Sequence, residues 1–137
     1  MKVYIAGSLF SESDRKFLER IDEICKNHGL KTFLPHRDCG LWRNKKDVKK
    51  IAKCDLDGFK DCSFLIANLN GFNVGAGTSW EMGYAYAKGI PIIAIKTDRK
   101  VEDSIEEISA IIAGTTKIVE SLEELESEIK KLIKSLS

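Results

Sequence analysis

The sequence predicts an α/β protein whose helices cover both faces of a doubly wound, five-stranded parallel sheet. Two observations predict this fold class. Short apolar segments alternate strictly with segments of helical periodicity, which is typical of strands joined by right-handed crossovers. The segment 63–67 is continuously apolar after its first residue, as expected of a strand that is buried on both faces. Together these patterns favour parallel pairing with a helix in each connection.

The N-terminal half of the chain holds two strand-and-helix units. Ser11 and Asp14 are typical of a helix start, and Gly29 is typical of a helix end. Val48 and Ile51 begin the apolar face of the next helix. The predicted elements are strand 1 at 3–6, a helix from Ser11 to Gly29, strand 2 at 31–34, a polar loop from Pro35 to about Arg43, and a helix from Lys45 to about Asp61.

The C-terminal half continues the same alternation. The predicted elements are strand 3 at 63–67, a glycine-containing loop leading to a helix with Glu81 in its first turn, strand 4 at 90–95, a helix from Glu102 to about Ile112, strand 5 at 116–119, and an amphipathic helix from Ser121 to about Leu136. Five strands of this size suit the flavodoxin or Rossmann-like order 2-1-3-4-5. Its ligand crevice opens beyond the C-terminal ends of strands 1 and 3. The loops 7–10 and 71–77 follow these strands, so both are expected in that crevice.

The composition is that of one globular domain spanning residues 1–137, because 43% hydrophobic and 31% charged residues are enough to form a core and a solvated surface. Lys and Arg total 22 against 21 Asp and Glu, and the formal net charge is +1. No basic stripe is present, so an extended nucleic acid is excluded as a partner. No apolar run approaches the roughly 20 residues of a membrane span, and the chain begins with a strand rather than a signal peptide.

The four cysteines follow no pattern that indicates a metal site or a disulfide. None belongs to a CxxC pair, and no histidine has the spacing of a zinc site. We therefore expect unpaired packing residues, no metal and a reducing cytoplasmic compartment. The four residues are Cys25, Cys39, Cys54 and Cys62.

Glu81 is the first candidate for catalysis. Gly75 and Gly77 precede it in a segment whose backbone can approach a ligand closely. Free N–H groups and the dipole at a helix N-terminus favour an anionic or hydroxyl-rich ligand and an ionised carboxylate. The alternative is structural, because Thr78 and Glu81 also fit a capping box in which the glutamate binds only the N-cap amide. The convergence of two loops on one crevice favours the functional interpretation.

Two further side chains are expected near the same crevice. Tyr4 lies on strand 1, where the alternative role is that of a core aromatic with a satisfied hydroxyl group. Asp55 lies near the C-terminal end of a helix, where a carboxylate opposes the helix dipole and is often merely solvated. The turn that follows Asp55 leads directly to strand 3, so its side chain is expected to project into the crevice.

Several of these segments resemble the nucleoside 2-deoxyribosyltransferase family, and the resemblance extends from Tyr4 to the helix after Ser121. It implies that Glu81 attacks C1′ of a 2-deoxyribosyl group, that Tyr4 orients Glu81, and that Asp55 assists departure of the base. It implies no metal and no organic cofactor. The segments are Tyr4-Ile-Ala-Gly-Ser-Leu-Phe10, Cys54-Asp-Leu-Asp57, Gly77-Thr-Ser-Trp-Glu-Met-Gly-Tyr-Ala85 and Lys88-Gly-Ile-Pro-Ile92.

The resemblance leaves two branches of the family open. Transferases usually carry an aspartate where this chain has Gly75, with Asn73 two positions earlier, and that carboxylate would repel a 5′-phosphate. The 2′-deoxynucleoside 5′-phosphate N-hydrolases also lack it. Ser8 matches a serine that contacts phosphate in them, and Ser109 matches a serine that reaches the site of a neighbouring subunit. Phe10 is transferase-like, because the hydrolases have arginine there.

The sequence therefore predicts an enzyme that cleaves the N-glycosidic bond of 2′-deoxyribonucleosides or their 5′-monophosphates, with hydrolysis of the nucleotide preferred over deoxyribosyl transfer. A non-catalytic nucleotide-binding sensor is the alternative of another class. A homodimer or higher homo-oligomer is implied as well. The expected substrate-binding residues are Gly7, Ser8, Phe10, Asn73, Gly75, Gly77, Thr78 and Ser109.

Overall fold

The computed structural model describes residues 1–137 and confirms the predicted sheet. Its five strands have the order β2-β1-β3-β4-β5, and all four neighbouring pairs are parallel. The switch point therefore lies between β1 and β3, as expected for a doubly wound sheet. The strands are β1 (Lys2–Ala6), β2 (Lys31–Phe33), β3 (Phe64–Asn68), β4 (Ile92–Ile95) and β5 (Lys117–Val119).

Seven helices connect and cover these strands. The capping box at the start of the first helix is formed as expected, since the Ser11 hydroxyl accepts from the Asp14 amide and the Asp14 carboxylate accepts from the Ser11 amide. The helices are α1 (Glu12–Asn27), α2 (Pro35–Asp38), α3 (Val48–Gly58), α4 (Ala76–Ala87), α5 (Ile105–Ile108), α6 (Ala110–Thr115) and α7 (Leu122–Leu136). None of them is both long and apolar enough to cross a membrane.

The sheet separates two hydrophobic layers, and the alternation of side chains along β1 assigns its residues to them. Val3 and Ile5 belong to the layer that also contains buried residues of α1 and α7. Tyr4 and Ala6 belong to the opposite layer, together with Met82 of α4. Tyr4 is completely buried there. The pleat of β1 thus directs the tyrosine toward α4, the helix that carries Glu81.

Three predicted elements differ from the structure. The polar loop after strand 2 contains a short helix, α2, because Pro35 at its first turn is preorganised for helical φ. The helix starting at Lys45 begins with a 3₁₀ turn over Lys45–Asp47 before α3. The helix predicted over 102–112 is divided into α5 and α6, because Ser109 between them has a φ of +86°.

The cysteine prediction was wrong for two of the four residues. Cys39 and Cys54 form a disulfide, whereas Cys25 and Cys62 are free thiols. The pair is separated by 15 residues and joins the segment after α2 to the middle of α3. Local spacing did not reveal it, because the contact depends on how α2 and α3 fold against each other. The cysteines therefore do not indicate a reducing compartment.

Candidate active site

A cavity of about 530 Å³ opens at the switch point of the sheet. Residues 7–10 follow β1 and form one wall. The start of α4 contributes residues 75–78 and then Glu81, while α3 contributes Ile51 and Asp55. Four segments that are distant in sequence thus meet around one cavity, as the fold class predicts. The fourth segment, after β2, contributes Pro35, Gly40, Leu41 and Trp42.

A hydrogen bond joins Tyr4 to Glu81, and in it the phenol donates to Oε2 of the carboxyl group. The Tyr4 ring stacks on Phe59, with ring centroids 4.0 Å apart, and lies 4.9 Å from the ring centroid of Phe33. These two aromatic contacts hold the phenol in place. The Tyr4 hydroxyl thus fixes one oxygen of Glu81, and the other oxygen has no hydrogen-bond partner in the protein.

The capping-box interpretation of Glu81 was wrong. Helix α4 begins at Ala76, and its N-cap is Gly75, which has no side-chain capping bond. Thr78 lies within the first turn and is buried, so it cannot be the N-cap residue. Glu81 lies in the second turn, one turn later than predicted, because extended backbone at Gly75 allows the helix to start earlier. From there its side chain reaches Tyr4 instead of the N-cap amide.

The pKa of Glu81 is raised to about 7, and burial is the main cause. The hydrogen bond from Tyr4 lowers it, and the nearby charge of Asp55 raises it. A helix N-terminus was expected to favour the ionised form of Glu81, and at this depth the desolvation of the carboxyl group acts in the opposite direction. Burial and the neighbouring Glu81 charge raise the pKa of Tyr4 well above its ordinary value, so the phenol remains a donor.

Asp55 faces the same cavity from α3. Burial raises the pKa of Asp55 to about 6, and its Oδ1 atom is buried without a hydrogen-bond partner. The alternative of a merely solvated carboxylate is not supported, because a solvated oxygen would be exposed. A buried unpaired oxygen in a cavity is a group that a bound ligand can satisfy. The site thus combines two carboxyl groups whose pKa values are both raised toward neutral pH by burial.

The β3–α4 loop is held by residues that follow β4. Lys96 is 1% exposed, and its ammonium group donates to the carbonyls of Leu69 and Gly71 at 3.2 and 3.1 Å. Asp98 forms an ion pair with Lys96 at 2.9 Å and accepts from the Gly71 amide at 2.8 Å. Arg99 donates to the same Gly71 carbonyl at 3.0 Å. These bonds fix the chain that leads into α4 and so position Glu81.

Most of the predicted substrate-binding residues line the cavity, namely Gly7, Ser8, Phe10, Gly75, Gly77 and Thr78. Phe10 is 92% exposed at the mouth, whereas Thr78 is buried in the wall. Gly7 is also required for packing, because a Cβ there would lie 2.7 Å from a methyl carbon of Leu18.

Asn73 and Ser109 do not line this cavity. They lie together on a second cavity of about 460 Å³, which is bordered by α4 and α6. Within one chain, the structure therefore does not bring these two predicted residues to Glu81.

Sequence reasoning missed several residues of the cavity wall. Arg15 is the charged one among them, and its Nη1 atom donates to the Leu9 carbonyl at 2.7 Å. Its position one turn into the helix that follows strand 1 is a signal that could have identified it. The uncharged residues missed are Pro35, Gly40, Leu41 and Ile51. No group of three or more His, Cys, Asp or Glu residues that could hold a metal ion occurs in the structure.

The fold and the site define a Rossmann-like α/β protein with a paired-carboxyl site at the switch point of its sheet. The family model described as nucleoside 2-deoxyribosyltransferase matches residues 3–131, and the chain belongs to this family. The protein is therefore an enzyme of deoxyribosyl transfer or N-glycosidic bond cleavage on nucleosides. No match was found among curated proteins.

Solved structures with this fold come from several bacteria. A conserved protein from Enterococcus faecalis V583 is 28% identical with a TM-score of 0.72, covering 96% of this chain and 98% of that chain. A 2-deoxyribosyltransferase from Bacillus psychrosaccharolyticus is 20% identical with a TM-score of 0.76, covering 92% and 90%. A CMP N-glycosidase from Clostridium botulinum is 21% identical with a TM-score of 0.63, covering 95% and 99%. At 20% and 21% sequence identity, the last two structures show that the fold is shared and no more.

Glu81→Gln is expected to stabilise the fold at pH 8 by about 1–3 kcal/mol and to have little effect at pH 4. The folded chain keeps the Glu81 proton up to a pH of about 7, against an ordinary pKa of 4.5, so stability falls as the pH rises between these values. Glutamine removes this loss and still accepts from Tyr4. Urea unfolding at both pH values measures the effect.

Glu23→Gln is the matched control for this stability measurement, because Glu23 is exposed on α1. It is expected to change the free energy of unfolding little at either pH. Equal stabilities of the wild type and the Glu81→Gln variant at pH 8 would contradict a Glu81 whose pKa is raised by burial.

Proposed function

We propose that the enzyme hydrolyses the N-glycosidic bond of 2′-deoxyribonucleoside 5′-monophosphates, with Glu81 as the nucleophile at C1′. The observation that carries the proposal is the fixed Glu81 carboxyl group, which is held by Tyr4 and shares its cavity with Asp55. One carboxyl group that attacks and another that exchanges a proton are the two groups that a retaining glycosidic cleavage requires.

The proposed reaction has two steps. Ionised Glu81 forms a bond to C1′ while the bond from C1′ to the base breaks, and protonated Asp55 gives its proton to the departing base. Asp55, now a carboxylate, then takes a proton from water as the water oxygen attacks C1′ and releases Glu81. The products are free base and deoxyribose 5-phosphate. Tyr4 binds one oxygen of Glu81, so the other oxygen is the one that attacks.

The monophosphate is preferred as substrate because of the residues at the start of α4. Gly75 has no side chain, so this position of the cavity wall carries no carboxylate to repel a phosphate. The first amides of α4 have no side-chain cap, and Ser8 adds a hydroxyl group to the same cavity. A CMP N-glycosidase with the same fold also acts on a nucleotide, as its name states.

Deoxyribosyl transfer is the second candidate, and Phe10 is the observation that favours it. Its exposed ring stands at the mouth of the cavity, where it can stack on an incoming base. In this reaction a second base, instead of water, attacks C1′ of the enzyme-bound sugar. The non-catalytic sensor has no comparable support, since the chain belongs to an enzyme family.

We also infer a homodimer or higher homo-oligomer in which Ser109 approaches the site of a neighbouring subunit. Exposed apolar side chains surround the second cavity, and Tyr86 and Ile111 are 63% and 74% exposed. An apolar surface of this kind is typical of a subunit interface.

Ile111→Asp is expected to produce monomers, measured by light scattering, and to reduce activity, measured by rate assays. An unchanged assembly would contradict an interface at this surface.

We also propose a cytoplasmic location, although the Cys39–Cys54 disulfide removes the support that unpaired cysteines gave it, and the redox state of this pair in cells is its test. In a reducing compartment, rapid alkylation of intact cells should modify both thiols. Complete protection of both cysteines in freshly quenched cells would contradict this location.

The wild type is expected to release free base from deoxynucleoside 5′-monophosphates without an acceptor base. Purified protein is incubated with several deoxynucleosides and their monophosphates, with and without a second base, and products are separated by chromatography. Glu81→Gln is expected to lower the rate on the order of 10³-fold or more. Product formation only in the presence of a second base would favour transfer over hydrolysis, and an unimpaired Glu81→Gln enzyme would rule out the proposed nucleophile.

The pH dependence of kcat/KM is expected to be bell-shaped, because Glu81 must be ionised while Asp55 must be protonated. The pKa values of about 6 for Asp55 and about 7 for Glu81 place the maximum between these pH values. The two groups interact, so the limbs belong to the pair.

Asp55→Asn is expected to lower kcat/KM by about 10²- to 10⁴-fold and to abolish the decline at high pH. The remaining rise with pH then reports the pKa of Glu81 alone, which should lie below 7, since the Asp55 charge no longer raises it. Initial rates from pH 4 to 10 measure both effects. A decline at high pH that persists in this variant would assign the proton donor to another group.

A further inference from the structure

Arg15 is the one cationic side chain among the residues that line the cavity. It lies in the first turn of α1 and is partly buried. The only other ionisable residues of the wall are Asp55 and Glu81. The cavity thus carries one positive group and two carboxyl groups, and the carboxyl groups are those assigned to the reaction.

The Arg15 guanidinium makes a single protein hydrogen bond, from Nη1 to the Leu9 carbonyl at 2.7 Å. A guanidinium has five N–H donors, so most of its donors remain available. Arg37 and Arg99, by contrast, each form ion pairs with carboxylates of the chain. Arg15 therefore has unsatisfied donor capacity that Arg37 and Arg99 lack.

Arg15 does not form an ion pair with Asp55 or Glu81, although all three line the same cavity. All of the salt bridges of the protein involve other residues, so the cation and the carboxyl groups lie more than 4 Å apart. A ligand that complements both the cation and the carboxyl groups has an anionic group, which lies at Arg15, and an electrophilic carbon, which lies at Glu81.

We propose that Arg15 binds the phosphate group of the nucleoside 5′-monophosphate and thereby selects nucleotides over nucleosides. This inference rests on the proposed function, since it assigns the anionic end of the same substrate. A planar guanidinium matches two phosphate oxygens at once, which an ammonium group does not. The bond to Leu9 holds the side chain at the cavity wall, so little conformational freedom is lost when phosphate binds.

Replacement of Arg15 by Met is expected to reduce kcat/KM for a deoxynucleoside 5′-monophosphate by about 10- to 100-fold, as for the loss of a hydrogen bond to a charged group. The rate with the same nucleoside lacking phosphate should change less than about twofold. Arg15→Lys keeps the charge without the planar fork and should lie between wild type and Arg15→Met. Inorganic phosphate should inhibit the wild type competitively and the Met variant much more weakly.

Arg20→Met is the matched control, because Arg20 lies on the exposed face of α1 and does not line the cavity. It should leave both rates unchanged. Equal losses for nucleotide and nucleoside in Arg15→Met would overturn the proposal, since they would indicate a contact with base or sugar or a displaced Leu9 carbonyl. Unchanged discrimination between the two substrates would overturn it too.

Equilibrium binding separates a failure of this inference from a failure of the proposed function. Titration calorimetry with a deoxynucleoside monophosphate and its nucleoside measures the affinity gained from phosphate in wild type and Arg15→Met. If the wild type binds nucleotide but releases no base, the proposed hydrolysis is wrong, while loss of the phosphate-dependent affinity in Arg15→Met still supports the subsite. Equal affinity of the wild type for both ligands would overturn the subsite itself.

Discussion

The hydrogen bond between Tyr4 and Glu81 is the interaction on which the site depends. It joins the interior strand β1 to helix α4, and it is formed in a layer where the tyrosine is completely buried. Phe33 and Phe59 hold the phenol from two sides, and Lys96 holds the loop that leads into α4. The sheet, the aromatic contacts and the loop therefore converge on the position of a single carboxyl group.

Desolvation explains why this carboxyl group is suited to its proposed task. A fully solvated glutamate would be ionised at neutral pH but would be a poorly positioned and well-hydrated nucleophile. Burial raises the pKa of Glu81 to about 7 and that of Asp55 to about 6, so protons can be exchanged between the site and substrate near neutral pH. The hydrogen bond from Tyr4 counteracts part of the effect of burial on Glu81 and so favours the ionised form.

The sequence was sufficient to predict the strand order and the crevice, because alternating apolar and helical segments restrict the chain to few topologies. Glu81 and Asp55 were expected there, and the cavity contains both. The N-cap of α4 was misplaced, since a glycine in extended conformation starts the helix before the better capping residue Thr78. The Cys39–Cys54 pair was missed because it depends on how separate segments pack. The place of Arg15 at the start of the helix after strand 1 indicated a position beside the crevice, but its contact with the cavity depends on packing as well. The break at Ser109 depends on a positive φ that the residue type does not indicate.

The most direct test of Glu81 as nucleophile is to trap the sugar on the enzyme. A deoxynucleotide bearing fluorine at C2′ slows both steps, because fluorine destabilises the oxocarbenium-like transition state. Rapid acid quenching, proteolysis and mass spectrometry then locate any adduct. A sugar phosphate attached to the peptide that contains Glu81, and missing from Glu81→Gln, is the predicted result. Release of base with no adduct, or an adduct on a different residue, would contradict covalent catalysis by Glu81.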